Sequence, residues 1–255
     1  MTYLIAVSNF LQTAKTRLRR TPTSLESITS DIIVGQLQVV LKRFQLGSLD
    51  DLRDAMKQSG TIISGSTALL LLHPGRFFPN DIDFYVMQPG YRILLTYLQC
   101  CGYEIDRHHP SHYPSYRRMR SVHFLHSEES FQCINLIVCD GPHVLSTISR
   151  FHSTLVMNYI TYSGVVCLYP MWMMLNMGFV VNRDNNIATD QCLSKYVRRG
   201  FKLSRTLGRG QLTPSTHSEN AVRNLHDEDV LFIPFNLLEN DIRRFDDAIS
   251  WDLRH

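Results

Sequence analysis

The 255-residue chain has no CxxC pair, no N-x-S/T sequon and no apolar run long enough to cross a bilayer. Its longest apolar stretches, Thr67 to Leu72 and Gly164 to Leu175, fall well short of the roughly 20 residues a membrane helix needs, so no transmembrane span is expected. Without paired spacing, Cys100, Cys101, Cys133, Cys139, Cys167 and Cys192 read as buried reduced thiols of an intracellular protein, cytoplasmic or nuclear. A dominant charge is missing too: the formal net charge is +3, too mild to demand a polyanionic partner. Lysine is scarce, present only at 15, 42, 57, 195 and 202, and the remaining basic residues are arginines, suited to bidentate grip on phosphate or carboxylate. No nucleophile elbow, Walker loop or dinucleotide fingerprint occurs.

What is present is an ordinary globular composition, 44% hydrophobic and 19% charged, which excludes collagen-like, low-complexity or largely disordered chains. The first 25 residues carry no acid, and Lys15, Arg17, Arg19 and Arg20 follow the apolar stretch Tyr3 to Leu11. That order argues against a secretory signal and leaves a basic first helix, a frayed tail or a mitochondrial transit peptide.

Four parts are expected: a basic segment over 1–22, a core over 23–140, an extension of helix and strand packed on it over 141–203, and a linker with a terminal helix over 204–255. Thr23 and Glu26 stand at capping-box spacing ahead of apolar residues that recur at helical period to Phe44. Ser48 opens a second helix, with Asp50 and Asp51 in its first turn and Gly60 past its end. The chain then reads as strand Thr61 to Ser64, tight turn Gly65-Ser66 and helix Thr67 to Leu72. Asp81 to Val86 alternates at period two, and further strands are expected at Tyr103 to Asp106, Arg117 to Leu125 and Phe131 to Cys139. Helices and strands in this order predict an α/β (α+β) fold: a mixed sheet of about five strands flanked by helices. Leu238, Ile242, Phe245 and Ile249 mark an amphipathic terminal helix that could dock a protein partner.

The chemistry concentrates at Ile62-Ile63-Ser64-Gly65-Ser66 and Asp81-Ile82-Asp83-Phe84. A glycine and a serine between a strand and a helix N-terminus turn backbone N–H groups and a hydroxyl outward, which suits phosphate. Asp81 and Asp83, two apart on a strand, project from one face while Ile82, Phe84 and Val86 take the other. Two neighbouring carboxylates repel unless a cation lies between them, and oxygen ligands that also share triphosphate oxygens suit Mg²⁺.

In these two motifs the chain resembles the nucleotidyltransferase superfamily typified by DNA polymerase β, over roughly residues 25–139. Phe151-His152-Ser153-Thr154 and the stretch from Lys195-Tyr196 to Arg199-Gly200 are similar to uncharacterised fungal members. The resemblance implies that Gly65 and Ser66 hold the phosphates of a nucleoside triphosphate and that Asp81 and Asp83 hold Mg²⁺. It further implies transfer of a nucleotidyl group to an acceptor hydroxyl. A third carboxylate on a later strand completes the family's site, and here that position falls on Asn135, which cannot act as a base. Asp140 lies too far along and on the opposite strand face to replace it, whereas Glu104 or Asp106 stays open as a substitute. A helical segment after the sheet supplies the family's phosphate-neutralising cation, which points to Lys195 and Arg199, with Arg76 as the alternative.

Three readings therefore compete. The first is an Mg²⁺-dependent nucleotidyltransferase. The second is a catalytically lapsed relative that binds nucleotide or protein as a regulatory module. The third is a plain α/β interaction domain. His108, His109 and His112 read as exposed loop residues, and Met171, Trp172, Met173, Met174 and Met177 as core filling. Arg118 and Arg120 fall on one solvated strand face, so a nucleic-acid partner is not indicated.

Overall fold

Helical periodicity after residue 24 produces α1 (Ser24–Arg43), whose Ile33, Leu37, Val40 and Leu41 are buried together with the following Phe44. In α2 (Leu49–Ser59), Asp51 donates its N–H to Ser48 Oγ at 3.1 Å while Ser48 N–H bonds the Asp51 carboxylate at 3.3 Å. The helix stops at Gly60, whose φ of 67° favours glycine. These descriptions come from a computed structural model, which describes residues 24–107, 119–129, 132–181, 187–205, 223–225, 227, 230–236 and 250–251. The basic segment over 1–22, Thr23 of the first capping box, the loop histidines, Arg118 and the terminal helix lie outside the described residues.

The strands are β1 (Ile62–Ser64), β2 (Asp81–Met87), β3 (Glu104–Ile105), β4 (Met119–His126), β5 (Cys133–Cys139), β6 (Asn158–Ile160), β7 (Gly164–Cys167), β8 (Met177–Phe179), β9 (Lys202–Ser204), β10 (Arg223–Asn224), β11 (Leu231–Pro234) and β12 (Ser250–Trp251). Between them run α3 (Ser66–Leu72), α4 (Tyr91–Cys100), α5 (Leu145–Ile148), α6 (Pro170–Met174) and α7 (Ile187–Arg198). The mixed sheet follows the order β11-β7-β6-β1-β2-β5-β4-β3, eight strands where about five are expected. The additions come from a hairpin whose turn the residue types conceal: Thr161 Oγ1 accepts N–H bonds from Ser163 and Gly164, both at 3.1 Å, and brings β7 back along β6. Its strands are three and four residues long and buried throughout, so no alternation announces them. Pairing of β6 on β1 and of β11 on β7 then extends the sheet beyond residue 140.

β2 and β5 run parallel side by side, with Asp81 opposite Cys133 and Asp83 opposite Asn135. Apolar side chains on one sheet face, among them Ile63, Ile82, Phe84 and Leu136, pack against α1, α2 and α4. On the other face, Ile62, Tyr85 and Ile137 meet the segments after β5, including Phe151, Trp172 and Tyr196. Trp172 belongs to this packing and Met173 to that of the first face, both buried as the methionine-rich stretch suggests. All six cysteines are free, but only Cys139 and Cys167 are buried; Cys100, in the last turn of α4, is exposed on that helix's outer side. No helix among the described residues is long and apolar enough to cross a membrane.

Candidate functional site

Alternation along β2 turns Asp81, Asp83 and Tyr85 to one side of the sheet, and the parallel register brings Asn135 and Ile137 of β5 to the same side. Gly65 at the β1–α3 bend comes against this acidic edge. Its φ is 70°, and a Cβ placed on it would lie 2.5 Å from Asp83 Oδ2. Glycine is therefore required twice over, by backbone conformation and by lack of room. Helix α3 itself is only seven residues long, so attraction for an anion here must come mainly from side-chain cations.

These groups line one cavity of about 110 Å³ together with Ser66, Phe151, His152, Cys192, Lys195 and Tyr196. That volume admits several waters or the end of a ligand, so the acids are not sealed in. Asn135 Nδ2 donates to Asp83 Oδ1 at 2.7 Å and to Asp81 Oδ2 at 3.3 Å, one amide bridging both acids. Its Oδ1 faces Cys133 Sγ at 3.8 Å and not the acid pair. Burial, followed by the charge of Asp81, pushes the Asp83 carboxyl up to about 7; the Asn135 hydrogen bond and the Lys195 charge pull the other way.

The cations sort differently. Lys195 lines the cavity, its Nζ 5.5 Å from the Tyr196 ring. Arg199 lies with its guanidinium carbon 4.0 Å over the Phe77 ring and donates to Ser66 Oγ at 3.2 Å, so it anchors the serine hydroxyl. Tyr196 OH is 3.4 Å from the same oxygen. Arg76 is turned to Gly200, donating to its carbonyl at 3.3 Å while stacking on Phe201, and does not line the cavity.

Neither substitute acid joins the site. Glu104 is exposed on β3 at the sheet edge, and Asp106 faces His126 at 3.6 Å. Asp140 is exposed past the end of β5. Among the described residues no group of three or more His, Cys, Asp or Glu side chains gathers as a metal site. Two carboxylates bridged by an amide are what this edge offers.

Sequence reasoning missed the opposite wall of the cavity, made by Phe151, His152 and Tyr196. Phe151 and Tyr85 rings stand 5.7 Å apart, and His152 and Tyr196 rings 5.9 Å apart. The signal for this wall was resemblance alone, since both stretches likened to other proteins, residues 151–154 and 195–200, reach it.

No protein-family model and no curated protein matches the chain. Eight chains of solved structures do. One, a CCA-adding enzyme in its apo form, is 11% identical, with a TM-score of 0.46 over 69% of this chain and 42% of that enzyme, so this chain spans about two-fifths of the enzyme's length. At that score the two chain paths diverge widely. The comparisons lend the fungal similarity no support.

Proposed function

We propose that the cavity binds the triphosphate of a nucleoside triphosphate together with Mg²⁺, and that the chain is a nucleotidyltransferase-like protein. The observation that carries this reading is the meeting of the acid pair with the Gly65 bend: Asp83 Oδ2 occupies the space that any side chain at residue 65 would fill. Lys195 in the same cavity supports it, as the motifs of residues 62–66 and 81–84 do.

The donor set suits a hard divalent cation. Two carboxylates share one cavity edge, and one of them is pushed up to about 7 by burial and by its neighbour's charge, a repulsion that a cation between them relieves. Mg²⁺ held by Asp81 and Asp83 would supply charge neutralisation to phosphate oxygens. The chain's own residues do the rest. Asn135 fixes the spacing of the two acids, Gly65 lets the Asp83 carboxylate lie against the turn, and Lys195 offsets negative charge. Arg199 and Tyr196 hold the Ser66 hydroxyl oxygen in place.

Attack of an acceptor hydroxyl on the α-phosphorus, with pyrophosphate leaving, also needs a proton acceptor at the third position. Asn135 cannot be one, and its amide nitrogen, already bonded to both acids, favours a second reading: a lapsed relative that binds nucleotide as a regulatory module.

Calorimetric titration with Mg²⁺ and a nucleotide panel tests the binding. Combined Asp81→Ala and Asp83→Ala should abolish Mg²⁺-dependent binding, and undiminished binding by that variant sinks both readings. Pyrophosphate release then separates enzyme from lapsed relative. Asn135→Asp should raise release in either case if residue 135 stands at the third-ligand position.

A further inference from the structure

His152 forms part of the cavity wall and is 6% exposed. Its Nδ1 is sealed from solvent and has no hydrogen-bond partner among the described residues. Burial, reinforced by the Lys195 charge, pushes the imidazole down to about 4, so the ring is neutral at physiological pH. A neutral ring carries one proton. On Nδ1 that proton would be a sealed N–H without an acceptor, a rarer and costlier arrangement than a sealed lone pair. The proton therefore belongs on Nε2, which, unlike Nδ1, is not a sealed and partnerless atom of this cavity-lining side chain.

Asp81, Asp83 and Lys195 already serve charged groups in this cavity. An uncharged donor beside the aromatic rings of Phe151, Tyr85 and Tyr196 suits the uncharged part of a ligand, where a sugar or flat heterocycle packs on rings. We propose that His152 anchors the nucleoside part of the bound triphosphate, donating from Nε2 to an uncharged oxygen, either a sugar hydroxyl or a ring carbonyl. This role rests on the nucleotide reading above and extends it from the phosphates to the nucleoside. It also accounts for a buried polar atom kept without a partner, a feature that lowers stability and calls for a reason.

The test is His152→Phe, which keeps a flat ring and removes both nitrogens. Its melting temperature should equal or exceed that of the native protein, because an orphaned polar atom is gone. Its affinity for a nucleoside triphosphate with Mg²⁺ should fall about tenfold, the effect of one hydrogen bond, while its affinity for inorganic triphosphate stays unchanged. His152→Gln, which restores an N–H donor, should recover part of the loss, and it decides the matter if the Phe variant does not fold. With a 2′,3′-dideoxynucleoside triphosphate, a vanishing penalty assigns the bond to the sugar and a persisting one to the base. Equal losses for both triphosphates, or no loss for either, overturn the role of His152 while leaving nucleotide binding intact. If the native protein binds neither triphosphate, the nucleotide reading fails and this role goes with it.

Discussion

On one face of β2 and β5, Ile82, Phe84, Val86, Ile134, Leu136 and Val138 are at most 1% exposed and packed under helices. On the other, Asp81, Asp83 and Asn135 alternate with them along the same backbone and border a cavity. Identical strand geometry thus supports a closed apolar layer and a polar edge one residue out of step. The closed face supplies the free energy and the rigidity. The open face holds Asp83, whose ionisation burial and the charge of Asp81 oppose, which is tolerable only because the strands beneath it are fixed from the other side.

Breaking the closed face should have the largest effect. Phe84→Ala removes a fully buried ring next to Asp83 on the opposite strand face and should lower stability by about 3–5 kcal/mol. Urea unfolding should show the loss as a lower midpoint with an unchanged slope. A loss below about 1 kcal/mol would mean that this face is not the tightly packed layer described.

Gly65→Ala comes next and tests where the faces are joined. The new methyl group meets Asp83 Oδ2 at 2.5 Å, and residue 65 has a φ of 70°. The Asp83 carboxylate cannot yield freely because Asn135 holds it at 2.7 Å. Stability should fall by about 1–2 kcal/mol, as expected for a side chain forced into a glycine conformation. Mg²⁺-dependent nucleotide affinity should fall further, by at least roughly tenfold, as the carboxylate is displaced. Equal affinity in titrations of the native and variant proteins would separate the bend from the site.

The closed face was legible in the sequence, and most of the open one was not. Alternation at Ile82, Phe84 and Val86 identifies β2 and both of its faces, whereas Asn135 was singled out by the third-ligand position that the family resemblance implies, and the parallel register sets it opposite Asp83. Gly60 marks a helix end because a left-handed residue there has few alternatives. Thr154 to Leu168 reads as extended from its residues, but its division into the β6–β7 hairpin stayed hidden because the turn is tied by a threonine hydroxyl and the strands are buried on both sides. Phe151, His152 and Tyr196 reach the cavity from segments more than 60 residues beyond the Asp81–Asp83 pair, brought there by packing on the far sheet face, which no local periodicity encodes. Arg199 shows the same limit. Its helical spacing from Lys195 pairs the two cations, yet stacking on Phe77 directs Arg199 to Ser66 while Lys195 borders the cavity.

An effect that vanishes near pH 4 sharpens the comparison most, because it carries a sign. In the folded state the Asp83 carboxyl is pushed up from 3.8 to about 7, so between those pH values the native protein holds a proton that the unfolded chain has released. Stability from this group is complete below about pH 4 and is lost as pH rises through 7. His73 and His152, both pushed down to about 4 by burial, act oppositely: the unfolded chain binds more protons between about 4 and 6.5, so their contribution grows with pH across that range. The native protein's melting temperature is therefore a blend of two slopes. Asp83→Asn isolates one of them. The variant should match the native protein near pH 4 and become the more stable of the two as pH rises, the gap opening between about pH 4 and 7 by at most roughly 1.4 kcal/mol per pH unit. Saturating Mg²⁺ should close that gap by stabilising only the native protein, since the metal favours the ionised pair. Calorimetric melts across this range, with and without the metal, read both effects, and a gap that stayed constant with pH would show that Asp83 ionises as freely as a surface acid.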